Sequence, residues 1–294
     1  MSRLKIRHET VYSYSSPVSF KPWRLLMRPL DSHAIRIVDA TLEFSPLGQT
    51  RWSYDAYGNC VCYFEPEGSA DTLSVVNNLI IDRYPAPLPA PKIDNPRTMM
   101  PMVYQSSDRA VLEPFIAPTT DDHDQSYLDW MRSLAGPADE PALEYLRRMN
   151  NAIHDQFAYG ARNEPGVQAP TETIGLNAGT CRDFAWLMIE SVRRLGFAAR
   201  FVTGYLYSPN LAMSGVRGAG ATHAWCEVFL PDIGWIEFDP TNGLVESPDL
   251  IRVGATRTPA EASPMSGGAV DETVGSTLTV GVDVELVDET LQAA

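Results

Sequence analysis

Cysteine is scarce in this chain. Four residues in 294, at positions 60, 62, 181 and 226, are too few for a disulfide framework and agree with a reducing compartment. Positive charge is also short: 23 Lys and Arg against 37 Asp and Glu leave a formal charge of −14, which repels phosphate backbones and offers no basic stripe. Nucleic acid is therefore not expected as a partner. No apolar run approaches the length of a membrane span, and the opening "MSRLKIRHETVYSYSSPV" alternates where a secretion signal would be continuously apolar. It reads as a β-strand, and the absences together predict a cytoplasmic protein without a membrane partner. No internal repeat is visible. The 44% hydrophobic content suffices for the core of one large or two medium domains.

What is present falls into three parts. Residues 1–105 read as a β-rich domain, a sandwich or small barrel, because "LKIRHETVYSYS", "IRIVDATLEFSP", "NCVCYFEP" and "LSVVNNLIIDRY" are short β-branched and aromatic segments separated by turn formers. "PAPLPAPKIDNPR", Pro85 to Arg97, reads as a linker. Residues 106–250 form the expected α+β core. Leu143, Leu146, Ile153 and Phe157 mark one helical stripe; Phe184, Leu187, Met188, Val192 and Leu195 mark another, stopped by Gly196. The strands "HAWCEVFL" and "GWIEFDPT" follow. Residues 251–294 are expected to be a mobile loop, "SPMSGGAVDETVGS", and then a half-buried strand in which Leu278, Val280, Val282, Val284 and Leu286 alternate with other residues.

The second helix carries the chemistry. Thr180 and Asp183 form an Asp-containing variant of the capping box, which puts Cys181 at the first helical position. There the helix dipole and unpaired N–H groups favour a thiolate over a thiol, and the same donors suit an acyl-transfer oxyanion. A thiolate nucleophile needs an imidazole, and the imidazole needs an orienting acceptor. His223 opens the "HAWCEVFL" strand, sharing a face with Trp225, Glu227 and Phe229, while Cys226 points the other way into the core. Asp239 ends the "WIEF" strand, an unusual place for a charge without a partner. It lies on the histidine's face only if the hairpin loop is odd or bulged; Pro231 to Ile233 would set 225 against 239.

These residues carry a resemblance. "GTCRDFAWLMIESVRRLGFAARFVTGY", "THAWCEVFLPDIGWIEFDPTNG" and the order Cys, His, Asp resemble the bacterial transglutaminase-like superfamily, and "IRHETVYSYSSPV", "RLLMRPL" and "YDAYGN" resemble the β-rich domain that precedes its core. The resemblance implies a papain-like fold with helices packed on an antiparallel sheet. It also implies Cys181 as nucleophile, His223 as general base and then acid, and Asp239 as the residue that orients the imidazole. The expected reaction cleaves peptide amides of a peptide or protein substrate through a thioester, without a metal or organic cofactor. Water as acceptor gives a cysteine protease or amidase, and a lysine amine gives a cross-link; a silent binding scaffold of the same fold is the rival from another class. The chain departs from the family pattern at "ATRTPAEASPM", where relatives often continue with a Gly-Arg-Asp-Tyr block.

Weaker signals have structural readings. Cys60 and Cys62 fall outside zinc spacings and read as strand residues; "DDHD", Asp121 to Asp124, reads as an acidic turn before a helix. His154 reads as a surface or interhelix residue, and His8 and His33 have no visible partners. "GVRGAGA", Gly215 to Ala221, reads as a flap rather than a phosphate loop. Trp225 and Tyr205 are candidates for the cleft or the core, and Tyr159, Asn163 and Asn177 for the second oxyanion donor. Oligomeric state has no signature here.

Overall fold

The computed structural model describes residues 1–84, 99–120, 124–137, 139–160, 162, 166–207, 217 and 220–287. The expected linker Pro85 to Arg97 lies outside them. The first six strands are β1 (Ser2–Ser19), β2 (Trp23–Leu25), β3 (Ile35–Ser45), β4 (Gly48–Tyr54), β5 (Cys60–Pro66) and β6 (Ser69–Arg83). Helices α1 (Ser106–Ile116), α2 (Gln125–Ser133), α3 (Ala142–Gln156), α4 (Pro170–Leu176) and α5 (Cys181–Arg194) follow, with short β7 (Ala158–Tyr159) and β8 (Ala178–Gly179) among them. Then come β9 (Ala199–Leu206), β10 (His223–Leu230), β11 (Gly234–Asp239), β12 (Leu244–Val245), β13 (Leu250–Thr256), β14 (Met265–Ser266) and β15 (Ser276–Leu286). The α+β architecture is the expected one.

Two antiparallel sheets, ordered β15-β1-β6-β3 and β14-β2-β5-β4, make the N-terminal layer. Trp23, Leu25, Phe64, Leu73 and Val75 fill the space between them, with Phe44 stacked on Phe64 at 4.1 Å. The alternation of β6 explains this packing: residues 73, 75, 77, 79 and 81 are buried and those between are not, so one face turns inward. A five-stranded antiparallel sheet, β12-β11-β10-β9-β13, forms the second half, and α5 packs on it.

The C-terminal part differs from expectation. The boundary at 250 falls inside β13, which completes the five-stranded sheet beside β9. The stretch expected to be a mobile loop is tied down: Met265 and Ser266 pair with Leu25 and Arg24, and Ala269 bridges to Phe20. β15 then returns to the first sheet as an edge strand along β1. Its alternation is present but half-burial is not, since Val282 is buried while Leu278 and Leu286 are about half exposed. An edge strand covers only what its single neighbour offers.

The two halves meet along one apolar seam. Leu4, Ile6, Leu79 and Ile81 of the first sheet pack against Tyr205, Ile251 and Val253 of the second. Asn59, in the "YDAYGN" turn, pairs with both backbone groups of Ala255: Nδ2 donates to the carbonyl at 2.9 Å, and Oδ1 accepts from the N–H at 2.9 Å. At the seam's centre His8 Nδ1 meets the Tyr205 hydroxyl at 3.0 Å, Thr10 Oγ1 meets His8 Nε2 at 3.0 Å, and Asn77 Nδ2 donates to Tyr205 at 3.1 Å. Thus His8 has partners that the sequence did not reveal, and Tyr205 belongs to the core rather than a cleft. His33 is exposed.

Burial lowers the His8 pKa from 6.5 to about 4. Between those values the unfolded chain binds a proton that the folded chain refuses, so stability falls as pH drops from 6.5 toward about 4. The loss is at most about 3 kcal/mol. Urea midpoints measured across that window should fall in the parent protein and vary less in His8→Gln, which keeps a polar side chain without a titrating group.

Candidate active site

Cys181 is placed by a strand, a cap and a helix. β8 runs parallel to β7, with Tyr159 opposite Gly179. Gly179 is required by space: a Cβ there would lie 2.9 Å from Asp183 Cβ and 3.0 Å from the Phe184 ring. Thr180 caps α5, and the reciprocal box with Asp183 is complete, the Thr180 N–H donating to Asp183 Oδ2 at 2.8 Å. The fully buried Asp183 also accepts from the Gln168 N–H at 2.7 Å and from Arg162 at 3.0 Å. Cys181 is the first residue of α5 and only 8% exposed. Beyond it the helix is buried on nearly every side, which the amphipathic reading did not anticipate. Gly196, at φ +86°, ends the run as expected.

The hairpin supplies the other two groups. Leu230 pairs with Gly234 and Cys226 with Phe238, so the loop is the three residues Pro231 to Ile233 and the register aligns 225 with 239. This is the odd loop that places Asp239 on the histidine's face. His223 Nε2 donates to Asp239 Oδ2 at 2.8 Å, with both side chains fully buried. Cys226 lies on the opposite face, in the core with Phe238.

Electrostatics hold this group in its charged form. Burial pulls the His223 pKa down, yet the Asp239 carboxylate and then the Cys181 sulfur outweigh it and raise the value to about 10. Burial pushes the Asp239 carboxyl up, but His223, the Asn242 side chain and the Thr241 N–H together hold it below its ordinary range. His223 Nδ1 is buried and forms no hydrogen bond among the described residues. The Cys181 sulfur is near enough to this ring to help raise its pKa.

Several neighbours complete the site. The Trp225 ring lies 5.9 Å from that of His223 and nearly parallel to it, while its Nε1 donates to Glu237 Oε1 at 3.1 Å. Trp225 is fully buried, so it is core that backs the histidine rather than cleft wall. Tyr159 is half-buried on β7 and feels the charges of Cys181 and Asp239; burial and those charges raise its pKa to about 12. Asn177 is instead an exposed left-handed cap of α4, and Asn163 lies outside the described residues.

The remaining predicted features are structural or undescribed. Cys60 and Cys62 are strand residues on β5. Among the described residues no three His, Cys, Asp or Glu side chains converge on a metal position. Of "DDHD" only Asp124 is described, as the cap of α2. Of the expected flap, Arg217, Gly220 and Ala221 are described and the rest lie outside. His154 joins the loop after β11, its Nδ1 meeting the Thr241 carbonyl at 2.9 Å. Sequence reasoning missed Asn242, whose amide donates to Asp239 Oδ2 at 2.9 Å. The "DPTNG" string contained it, three residues past the aspartate, at a spacing where a turn returns a side chain to its start.

Comparison with known proteins agrees with this architecture. Residues 129–240 match the transglutaminase-like superfamily, and residues 4–82 match the bacterial transglutaminase-like N-terminal region. An uncharacterized protein of Mycobacterium tuberculosis is 30% identical over 293 residues, spanning 96% of this chain and 92% of its own length. One from Mycobacterium leprae is 23% identical over 272 residues, spanning 91% and 93%. A Cytophaga hutchinsonii crystal structure described as a "putative cysteine protease" superposes with a TM-score of 0.70 at 21% identity, covering 98% of this chain and 91% of that one. With both halves matched in order and the pairing extending nearly end to end, the chain belongs to the transglutaminase-like superfamily.

Proposed function

We propose that this protein is a thiol acyl-transfer enzyme that hydrolyses peptide amide bonds, with Cys181 as nucleophile, His223 as general acid and base, and Asp239 as its orienting carboxylate. One observation carries the reading. His223 is buried between a carboxylate at 2.8 Å on Nε2 and a cysteine sulfur acting on the ring, and its pKa of about 10 keeps it an imidazolium at neutral pH. A buried imidazolium without that carboxylate would shed its proton.

The chemistry follows from that charge state. The Cys181 thiolate attacks the amide carbonyl carbon, and the C=O pair moves onto oxygen. Free N–H groups in the first turn of α5 face that developing charge, and the Tyr159 hydroxyl, which keeps its proton well above neutral pH, is the candidate second donor. The intermediate collapses as His223 gives its proton to the departing amine, leaving a thioester. Neutral His223 then removes a proton from water, which attacks the thioester; the carboxylic acid leaves and the thiolate–imidazolium pair is restored. An acceptor amine in place of water would give an isopeptide bond. All four cysteines are free thiols, which supports a reducing, cytoplasmic setting.

Iodoacetamide near pH 6 should label Cys181 stoichiometrically, and His223→Ala should abolish that labelling. Labelling confined to alkaline pH would sink the enzyme reading. Mass spectrometry of a peptide library should show cleavage that disappears in Cys181→Ala and falls about 10²–10⁴-fold in His223→Ala. Addition of an amine distinguishes the acceptors, since a transamidase would incorporate it.

Protonated His223 is required to expel the amine, so kcat/KM should hold across neutral pH and decline as pH rises through about 10. A decline centred near 6.5, where an unpaired histidine titrates, would contradict the buried ion pair.

A further inference from the structure

Asp239 does not hold His223 alone. Its Oδ2 accepts two hydrogen bonds, from His223 Nε2 at 2.8 Å and from Asn242 Nδ2 at 2.9 Å, while Oδ1 accepts the Thr241 N–H at 3.0 Å. The Thr241 contact is backbone and does not depend on the side chain at that position. The Asn242 contact depends on one side chain.

That side chain is committed in two directions. Asn242 Oδ1 accepts the Arg217 N–H at 2.9 Å, and its Nδ2 also donates to the Arg217 carbonyl at 3.3 Å. A single amide thereby pairs with both backbone groups of residue 217 as a neighbouring strand would, and spends its second N–H on the carboxylate. Arg217 is fixed independently, its guanidinium donating to the carbonyls of His154 at 3.2 Å and Thr241 at 3.4 Å. Those two residues are themselves joined through His154 Nδ1. Because the Arg217 guanidinium is itself anchored on carbonyls of α3 and of the loop after β11, the amide is held by a fixed partner while it donates to Asp239.

We infer that Asn242 is a positioning residue of the catalytic group: it fixes the rotamer of Asp239 and stabilises its carboxylate, so that the ring of His223 is aimed at Cys181. The inference rests on the triad reading above and adds a residue to it. Removing a donor from a carboxylate makes the carboxyl easier to protonate. Once Asp239 is neutral, the imidazolium loses its main support, its proton is released, and the thiolate loses its counter-ion. The other titratable or charged groups around Asp239 are Cys226 on the opposite face of β10, Cys181 on α5, Tyr159 on β7, His154 on α3 and Arg217. None of these substitutes for the lost donor, since none of them donates a hydrogen bond to the carboxylate among the described residues.

The test is the pH dependence of Cys181 alkylation in the full chain, which needs no knowledge of the substrate. In Asn242→Ala the acid limb should move up by about one pH unit. In Asn242→Asp, which keeps the acceptor for Arg217 but sets a second carboxylate against the first, it should move further. Thermal melts on the same samples separate positioning from folding: a purely structural asparagine would lower the melting temperature and leave the limb in place, which would overturn the inference. If the parent protein alkylates at pH 6 and both variants follow its profile, Asn242 is excluded while the triad stands. If the parent itself reacts only as an ordinary alkaline thiol, both readings fall together.

Discussion

A carboxylate without access to water has to be surrounded by donors, and two such carboxylates organise this protein. Asp183 and Asp239 are both fully buried. Burial of an isolated carboxylate would drive it to its neutral form, so each site is built as a convergence. Asp183 gathers the N–H groups of Thr180 and Gln168 and a guanidinium N–H from Arg162, and thereby fixes the turn on which Cys181 stands. Asp239 gathers His223, Asn242 and the Thr241 N–H. One aspartate sets Cys181 and the other sets His223. The distance between sulfur and imidazole is thus a consequence of how helix α5 packs on strand β10.

The N-terminal layer supports this arrangement from the far side of the sheet. β9 and β13 contribute Tyr205, Ile251 and Val253 to the seam, and β9 is also the strand paired with β10, with Gly204 opposite His223. Gly204 leaves no room for a side chain, since a Cβ would come within 2.1 Å of the Ile251 carbonyl oxygen. The same device holds both regions: Asn59 pairs both ways with Ala255 across the seam, and Asn242 pairs both ways with Arg217 beside the site. In each case an asparagine amide acts as a detached peptide unit where the chain cannot supply a strand.

Much of this was legible in the sequence because it rests on local rules. The capping box at Thr180 and Asp183 located the start of α5, and the spacing of Asp239 from His223 required an odd hairpin loop that the register of Leu230 and Gly234 supplies. What could not be read was non-local. Nothing near His8 in sequence announces a hydroxyl 197 residues away. The alternation of β15 identified a strand but not its place at a sheet edge, which decides how much of it is covered. The loop expected after β13 looked mobile because Gly, Ser and Asp predominate there, yet Met265 is paired with Leu25 of β2 and Ala269 is bridged to Phe20. Composition reports what a segment prefers alone and is silent about partners from 240 residues earlier.

The two buried histidines show why burial by itself does not decide whether a ring carries a proton. His8 and His223 are each about 1% exposed, and for both desolvation favours the neutral ring. His8 faces the hydroxyls of Tyr205 and Thr10, which bond the uncharged ring without a net charge to hold a proton, and its pKa falls to about 4. His223 faces a carboxylate and a sulfur, and its pKa rises to about 10. The same side chain in the same degree of dryness is driven in opposite directions by the formal charge of its neighbours. A glutamate beside His8 in sequence does not alter this, because strand alternation sends the side chain of Glu9 to the other face. What separates a neutral buried histidine from a charged one in this fold is therefore the register that selects its partners, and at His223 that register is set by three residues of hairpin loop.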